Sequence, residues 1–199
     1  MISLPALVLA GAVGACTPTA PAGQAYGETP APTVSVGTSD GRSLVEAIES
    51  PASPPMAAAA SVEAKPLNSD WLLESGEREV ISPDDDFTAH ELPKVATPSD
   101  EAPLRLEVGS PVTPTQADVV VFDELDASGV PLDEGREIHC LQSDDCSIEY
   151  SSDGISMVVP LDQDSAVVVL HLYYAVVPSG GAAGVDVETN YASYGWKVS

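Results

Sequence analysis

Ala166-Val167-Val168-Val169-Leu170-His171-Leu172-Tyr173-Tyr174-Ala175-Val176-Val177 is the stretch whose reading decides the fold. At the two-residue period of a β-strand, Val168, Leu170, Leu172 and Tyr174 fall on one side, and Val167, Val169, His171 and Tyr173 on the other. Both sides are dominated by β-branched, aliphatic and aromatic groups, so the segment predicts a strand at the centre of a sheet, covered on both faces. Its twelve residues are too few for a helix that spans a bilayer, and its β-branched content disfavours a buried helix.

Outward from this run, further short apolar stretches are separated by Gly, Asp and Ser. They predict strands at Leu104–Val108, Asp118–Leu125, Glu137–Leu141, Ser147–Tyr150, Ile155–Pro160, Val185–Tyr191 and Tyr194–Val198. Turn chemistry falls where the chain must reverse, at Ser128-Gly129, Asp153-Gly154 and Ser179-Gly180-Gly181. Eight short strands within residues 103–199 predict an all-β fold, a small two-layer β-sandwich of about 95 residues.

Upstream the composition changes. Residues 17–103 hold twelve of the 18 prolines, with runs of Ala, Ser and Thr and few aromatics, a mixture that buries too little apolar surface to offset the entropy of ordering it. Residues 16–66 are therefore expected to be a flexible tether. Within it, Thr33–Val36 is strand-like, Ser43-Leu44-Val45-Glu46 has capping-box spacing, and Ala57–Lys65 favours helix by propensity. Residues 67–102 are expected to be an acidic arm with short helices, at Asp70-Trp71-Leu72-Leu73-Glu74-Ser75-Gly76 and after the cap Ser82-Pro83-Asp84-Asp85-Asp86-Phe87. Trp71, Leu72, Leu73 and Phe87 are the large apolar groups of this arm. They suit docking, either onto the sandwich or onto another protein.

At the other end, the apolar run Leu4–Ala15 closes in Val13-Gly14-Ala15-Cys16. It has the length of a signal-peptide core rather than of a membrane span. The segment resembles the lipobox of bacterial lipoproteins, an aliphatic residue and two small ones before a cysteine. That resemblance covers residues 1–16 only. It implies removal of residues 1–15, acylation of Cys16, and an exported protein anchored to a membrane through that lipid, facing the periplasm or cell exterior. Thr17 after the cysteine, rather than Asp, resembles the outer-membrane sorting pattern. With Cys16 acylated, Cys140 and Cys146 remain as a pair in an oxidising compartment, and a disulfide pinning the tip of a hairpin is expected.

The net charge is −24, shared by both parts: 15 acidic against 4 basic residues in 1–102, and 16 against 3 in 103–199. Nucleic acid is thereby excluded as a partner, and an anionic phospholipid surface repels the body of the protein. Cations, basic protein surfaces, or solubility alone account for such a charge.

No motif for catalysis stands up to its context. Gly37-Thr38-Ser39-Asp40-Gly41 matches a nucleophile elbow, but it lies in a Pro-rich stretch without the alternating strands and helices that an elbow needs. His139, Cys140, Cys146 and His171 make a conceivable four-ligand metal set. They lack C-x2-C or H-x3-H spacing, and the cysteines are expected to bond each other instead. His171, inside a central strand, suits a hydrogen-bonded core histidine; His90 suits solvent. Asp84–Asp86, Asp123, Glu124 and Asp126, Asp144 and Asp145, and Asp162 and Asp164 form acidic clusters that fit no EF-hand loop, and ordinary acidic turns account for them.

The sequence thus predicts a lipid-anchored cell-envelope protein that presents a β-sandwich as a binding or structural module, with no catalytic site, cofactor or metal, and with an envelope protein or ligand as partner. The alternative is an accessory lipoprotein of a secretion or envelope assembly that docks through its acidic arm. In anchor-plus-sandwich architecture alone, this resembles the transthyretin-like lipoprotein of type VI secretion machines. A third reading is a calcium- or other cation-binding surface protein.

Overall fold

The computed structural model describes residues 31–38, 61–73, 75–82, 88–98, 103–162, 164–176 and 187–199. The central run forms β11 (Val167–Val176), hydrogen-bonded along its length to β12 (Glu188–Val198) and to β7 (Gln116–Phe122). Its alternation holds as read: Val168, Leu170, Leu172 and Tyr174 are buried on the inner face, while Val169, His171 and Tyr173 are half-covered on the outer one. β8 (Arg136–His139) pairs with the far side of β7, and β3 (Lys65–Leu72) with the far side of β12. β4 (Arg78–Ile81) extends that edge, and the two-residue β5 (Lys94–Val95) runs parallel to the end of β12. These strands form a seven-stranded sheet in the order β4-β3-β12-β11-β7-β8, with β5 beside β12.

A five-stranded sheet packs against it, formed in order by β2 (Val62–Glu63), β1 (Thr33–Thr38), β6 (Leu104–Gly109), β10 (Gly154–Val159) and β9 (Ser147–Ser151). The core lies between the layers. Val34, Val36, Leu104, Leu106, Val108, Ile155, Met157 and Val159 from one sheet meet Val119, Val121, Leu170, Leu172 and Trp196 from the other. Tyr194 also points inward and donates to the Pro32 carbonyl at 2.5 Å; burial pushes its phenol up to about 12. At the β9–β10 hairpin, Gly154 has φ of +150°, and a Cβ there would sit 1.9 Å from the Val108 carbonyl oxygen, so no larger residue fits the turn.

The all-β sandwich is as the sequence predicts, but its boundary is not. Residues 33–38 and 62–66, expected to be tether, supply β1, β2 and the start of β3. The sandwich therefore does not begin at residue 103. Where a helix is predicted over residues 70–76, residues 70–72 are instead the end of β3 and Ser75 and Gly76 lie in a turn: Trp71 enters the core and meets Tyr174 edge-on at 5.3 Å, and the Leu72 amide donates to the buried Asn190 Oδ1 at 2.8 Å. Propensity lost here to the hydrogen-bonding edge that β12 offers. Of the arm's apolar residues, Trp71 and Leu72 are buried and Leu73 is exposed. A single 3-10 turn, Ala89–Glu91, is the one helical element of the arm among the described residues. The two strands predicted at Val185–Tyr191 and Tyr194–Val198 are one, β12, whose pairing with β3 shifts register between Ser193 and Tyr194. Residues 1–16 with Cys16, the capping box at Ser43, the cap at Pro83–Phe87 and the turn at Ser179–Gly181 lie outside the described residues.

Cys140 and Cys146 are bonded, with Cα atoms 4.9 Å apart. The setting differs from the hairpin expected. β8 and β9, which flank the pair, do not pair with each other: β8 belongs to the seven-stranded sheet and β9 to the five-stranded one. The bond therefore closes the crossover that joins the edges of the two layers, and both cysteines are buried in the main core. A seven-residue span is enough because edge strands of facing sheets converge at the rim.

Candidate functional site

The outer face of the seven-stranded sheet is divided. Over one part, Ala89 and Leu92 cover Val167, Val169, Phe122 and Leu67. The cover fits closely: a Cβ on Gly195 would come within 3.0 Å of Leu67 and 3.1 Å of Leu92. Lys65 holds the 3-10 turn down through Glu91, at 2.8 Å.

The other part is polar, and its residues come from strands far apart in sequence. Register places His139 opposite Asp118, Asp118 opposite His171, His171 opposite Ser193, and Ser193 opposite Asn68. One row thus crosses five strands, β8, β7, β11, β12 and β3, with Gln116, Tyr173 and Tyr191 beside it and Glu137 on the other flank. Side chains one strand apart at matched register approach closely, which is what lets so dispersed a set interact.

Asp118 is the unusual member, a carboxylate only 3% exposed on the face of a sheet. Gln116 Nε2 donates to its Oδ2 at 2.5 Å, and His139 Nδ1 lies 2.8 Å from its Oδ1. His139 is the ion-pair partner of Asp118 among the described residues; the arginines there are engaged elsewhere, Arg78 with Asp70 and Glu188, Arg105 with Glu107 and Glu149, and Arg136 with Asp162. The hydrogen bond to Asp118 raises the His139 imidazole above its ordinary value. Burial acts oppositely on His171, holding it lower and hence neutral at pH 7.

His171 Nδ1 lies 2.7 Å from Ser193 Oγ and 3.0 Å from the Tyr191 hydroxyl, and Ser193 donates to Tyr191. The Tyr191 ring stacks on the His171 imidazole with centroids 5.9 Å apart and packs against Tyr173 at 5.0 Å. Serine, histidine and aspartate in one row invite comparison with a nucleophile relay. The geometry departs from one: Asp118 bonds His139 rather than serving as the orienting acid of His171, and Ser193 is 1% exposed, sealed beneath the tyrosine. The row orders side chains on a rigid surface.

The other sequence candidates separate. The four-ligand set His139, Cys140, Cys146 and His171 is undone by the disulfide and by alternation, which sends Cys140 into the core and His139 to the opposite face. His90 is exposed on the 3-10 turn. Gly37 and Thr38 lie in β1, an antiparallel strand rather than the parallel one an elbow requires, and Ser39–Gly41 fall outside the described residues. Among the acidic clusters, Asp126 Oδ1 accepts from the Ser128 amide, the Ser128 hydroxyl and the Val130 amide, bonds that lower its carboxyl below the usual range. Asp133 accepts from Gly135 and Asp123, Asp145 from Ser143, and Asp162 pairs with Arg136. These aspartates are held by hydrogen bonds within turns or by an arginine.

Sequence reasoning missed the polar row because it depends on strand pairing. Two signals pointed to it: a histidine within an otherwise apolar run at His171, and an aspartate opening the apolar run Val119-Val120-Val121 at Asp118. Compared with known proteins, the chain matches no family model, no curated protein and no solved structure.

Proposed function

We propose that this is an exported, lipid-anchored protein of the bacterial cell envelope whose β-sandwich presents the polar outer face of its larger sheet as a binding surface. The observation that carries the reading is the Cys140–Cys146 bond. Disulfides of this kind belong to oxidising compartments, and with these two cysteines joined, Cys16 at the end of Val13-Gly14-Ala15-Cys16 is the thiol left for acylation. Binding is favoured over catalysis because the Ser193 hydroxyl, which lies beside His171, is buried. Docking through the acidic arm is the weaker reading, since Trp71 and Leu72 are already used in the sandwich.

The long spacer expected from composition shortens accordingly. β1 starts at Thr33, so a chain of at most about 60 Å joins Cys16 to the sandwich, taking ~3.5 Å per extended residue. The module works close to the membrane. Its net negative charge, rather than tether length, keeps it off anionic headgroups over the ~8–10 Å range of unscreened repulsion.

Cys16→Ser tests the anchor. The parent is expected to incorporate labelled palmitate and to lose residues 1–15, and the variant to do neither; a parent without lipid, or a variant processed as the parent is, refutes the anchor. In-cell photocrosslinking from Tyr173 is expected to trap a discrete envelope partner, and crosslinking from exposed Tyr150 on the other sheet is the comparison.

A further inference from the structure

The flank of the polar row at β7 and β8 holds three metal-ligating side chains on one surface. Asp118 and His139 face each other across the two strands, and Glu137 is two residues before His139 on the same face of β8. One ligand atom from each lies within 4.8 Å of the others, with His139 Nδ1 2.8 Å from Asp118 Oδ1 and 3.9 Å from Glu137 Oε1. We propose that Asp118, Glu137 and His139 form a binding site for a divalent transition-metal ion of the zinc type, held on the rim of the seven-stranded sheet with a coordination position open to solvent.

Four features carry this beyond a chance grouping. Asp118 is 3% exposed, and burying a carboxylate is unfavourable unless a cation or several donors compensate. No lysine or arginine ion pair reaches it among the described residues; its one ion-pair partner is a histidine, itself a metal ligand. Gln116 fixes Oδ2 and leaves Oδ1 directed at His139, the kind of outer hydrogen bond that orients a ligating carboxylate. The ligands also stand on paired strands, not on loops, so their spacing is set by the sheet.

The spacing suits a small ion. With bonds of ~2.0–2.2 Å to nitrogen and oxygen, tetrahedral ligands stand about 3.4 Å apart. The Asp118–His139 separation is slightly below this and the Glu137–His139 separation slightly above it, and Glu137 and His139 are the exposed, adjustable members. An imidazole with two carboxylates favours zinc, nickel or copper over calcium, which takes six to eight oxygens, of which this surface offers too few. Two carboxylates and one neutral imidazole also balance a divalent charge. Water, or a carboxylate or imidazole of a partner, would complete the shell. The proposed site requires neither the lipid anchor nor a binding partner, so its failure leaves those readings standing.

The test is a zinc titration of the full-length, detergent-purified, chelator-treated protein against a chromophoric chelator, repeated with cobalt for its visible absorption. The parent and His90→Ala are expected to bind one equivalent of zinc with the same affinity. His139→Ala and Glu137→Gln, both at exposed positions, are each expected to weaken binding at least tenfold and to abolish the cobalt spectrum, with near-ultraviolet circular dichroism unchanged. Absence of stoichiometric binding in the parent, or affinity untouched by both variants, overturns the proposal; the second result would mean diffuse attraction to an acidic surface.

Discussion

On its inner face the seven-stranded sheet presents Val119, Leu170, Leu172 and Trp196 to a second sheet; on its outer face the same strands carry Asp118, His171 and Ser193. The inner side chains interact without direction, and any register that keeps them inward satisfies them. The outer ones depend on direction. Shifting β8 by one residue against β7 would put His139 towards the core and break its bond to Asp118, and the same slip at β12 would separate Ser193 from His171. The inner face supplies most of the stability, while the outer face specifies which residues stand side by side.

That division predicts unequal costs. Trp196, fully buried, should be the most sensitive position tested: Trp196→Ala is expected to cost about 3–5 kcal/mol in urea unfolding, whereas Tyr191→Phe, which removes one hydroxyl from the outer network, should cost about 1 kcal/mol. Equal losses at the two positions would break the comparison. Next in size is the rim: Cys140→Ser with Cys146→Ser should cost about 2–2.5 kcal/mol for so short a loop and leave strand content intact by far-ultraviolet circular dichroism. A loss confined to β9, read by hydrogen exchange, would show that the bond holds only one layer.

The smallest effects are those of pH, and here the outer face divides within itself. Burial lowers His171, so the unfolded chain takes its proton first; that share of stability is complete above about 6.5 and is lost as pH falls towards the lower folded value. His139 has the opposite sign. Asp118 raises it, so its share is complete below about 6.5 and is lost as pH rises through the higher folded value. In chelator-treated protein, proton NMR should show the His139 ring titrating at higher pH than His171, and His139→Gln should leave only the acid limb. Coincident titrations would remove the distinction.

How much of this the sequence reveals follows the same line. β6, β9, β10 and β11 are legible because their signal is local alternation, and Asp153-Gly154 marks a turn that tolerates nothing larger than glycine. β3 is not legible: Asp70-Trp71-Leu72-Leu73 has helical residues, and becomes a strand because β12 provides an unpaired edge. The cysteine pairing is visible in the count, yet its place between the sheets is hidden, since spacing gives a loop length and not the partners of the strands that flank it. The proposed metal ligands are obscured by a neighbour: sequence adjacency groups His139 with Cys140, which the strand turns the other way.

The position of β12 between β3 and β11 also orders events in time. β3 can pair with β4 at once, but its other edge stays unpaired until residues 188–198 have been made, and the bond from the Leu72 amide to Asn190 links residues 118 apart in sequence. Contacts so distant in sequence place the chain among slow folders, and before they form, Trp71 and two strand edges stand open. Under the export proposed above, this delay would be useful, since the larger sheet could not close while the polypeptide was still crossing the membrane. The cost is exposure afterwards. A molecule stopped before residue 188 would present sticky, unpaired edges, making it prone to aggregation and proteolysis rather than a smaller working module.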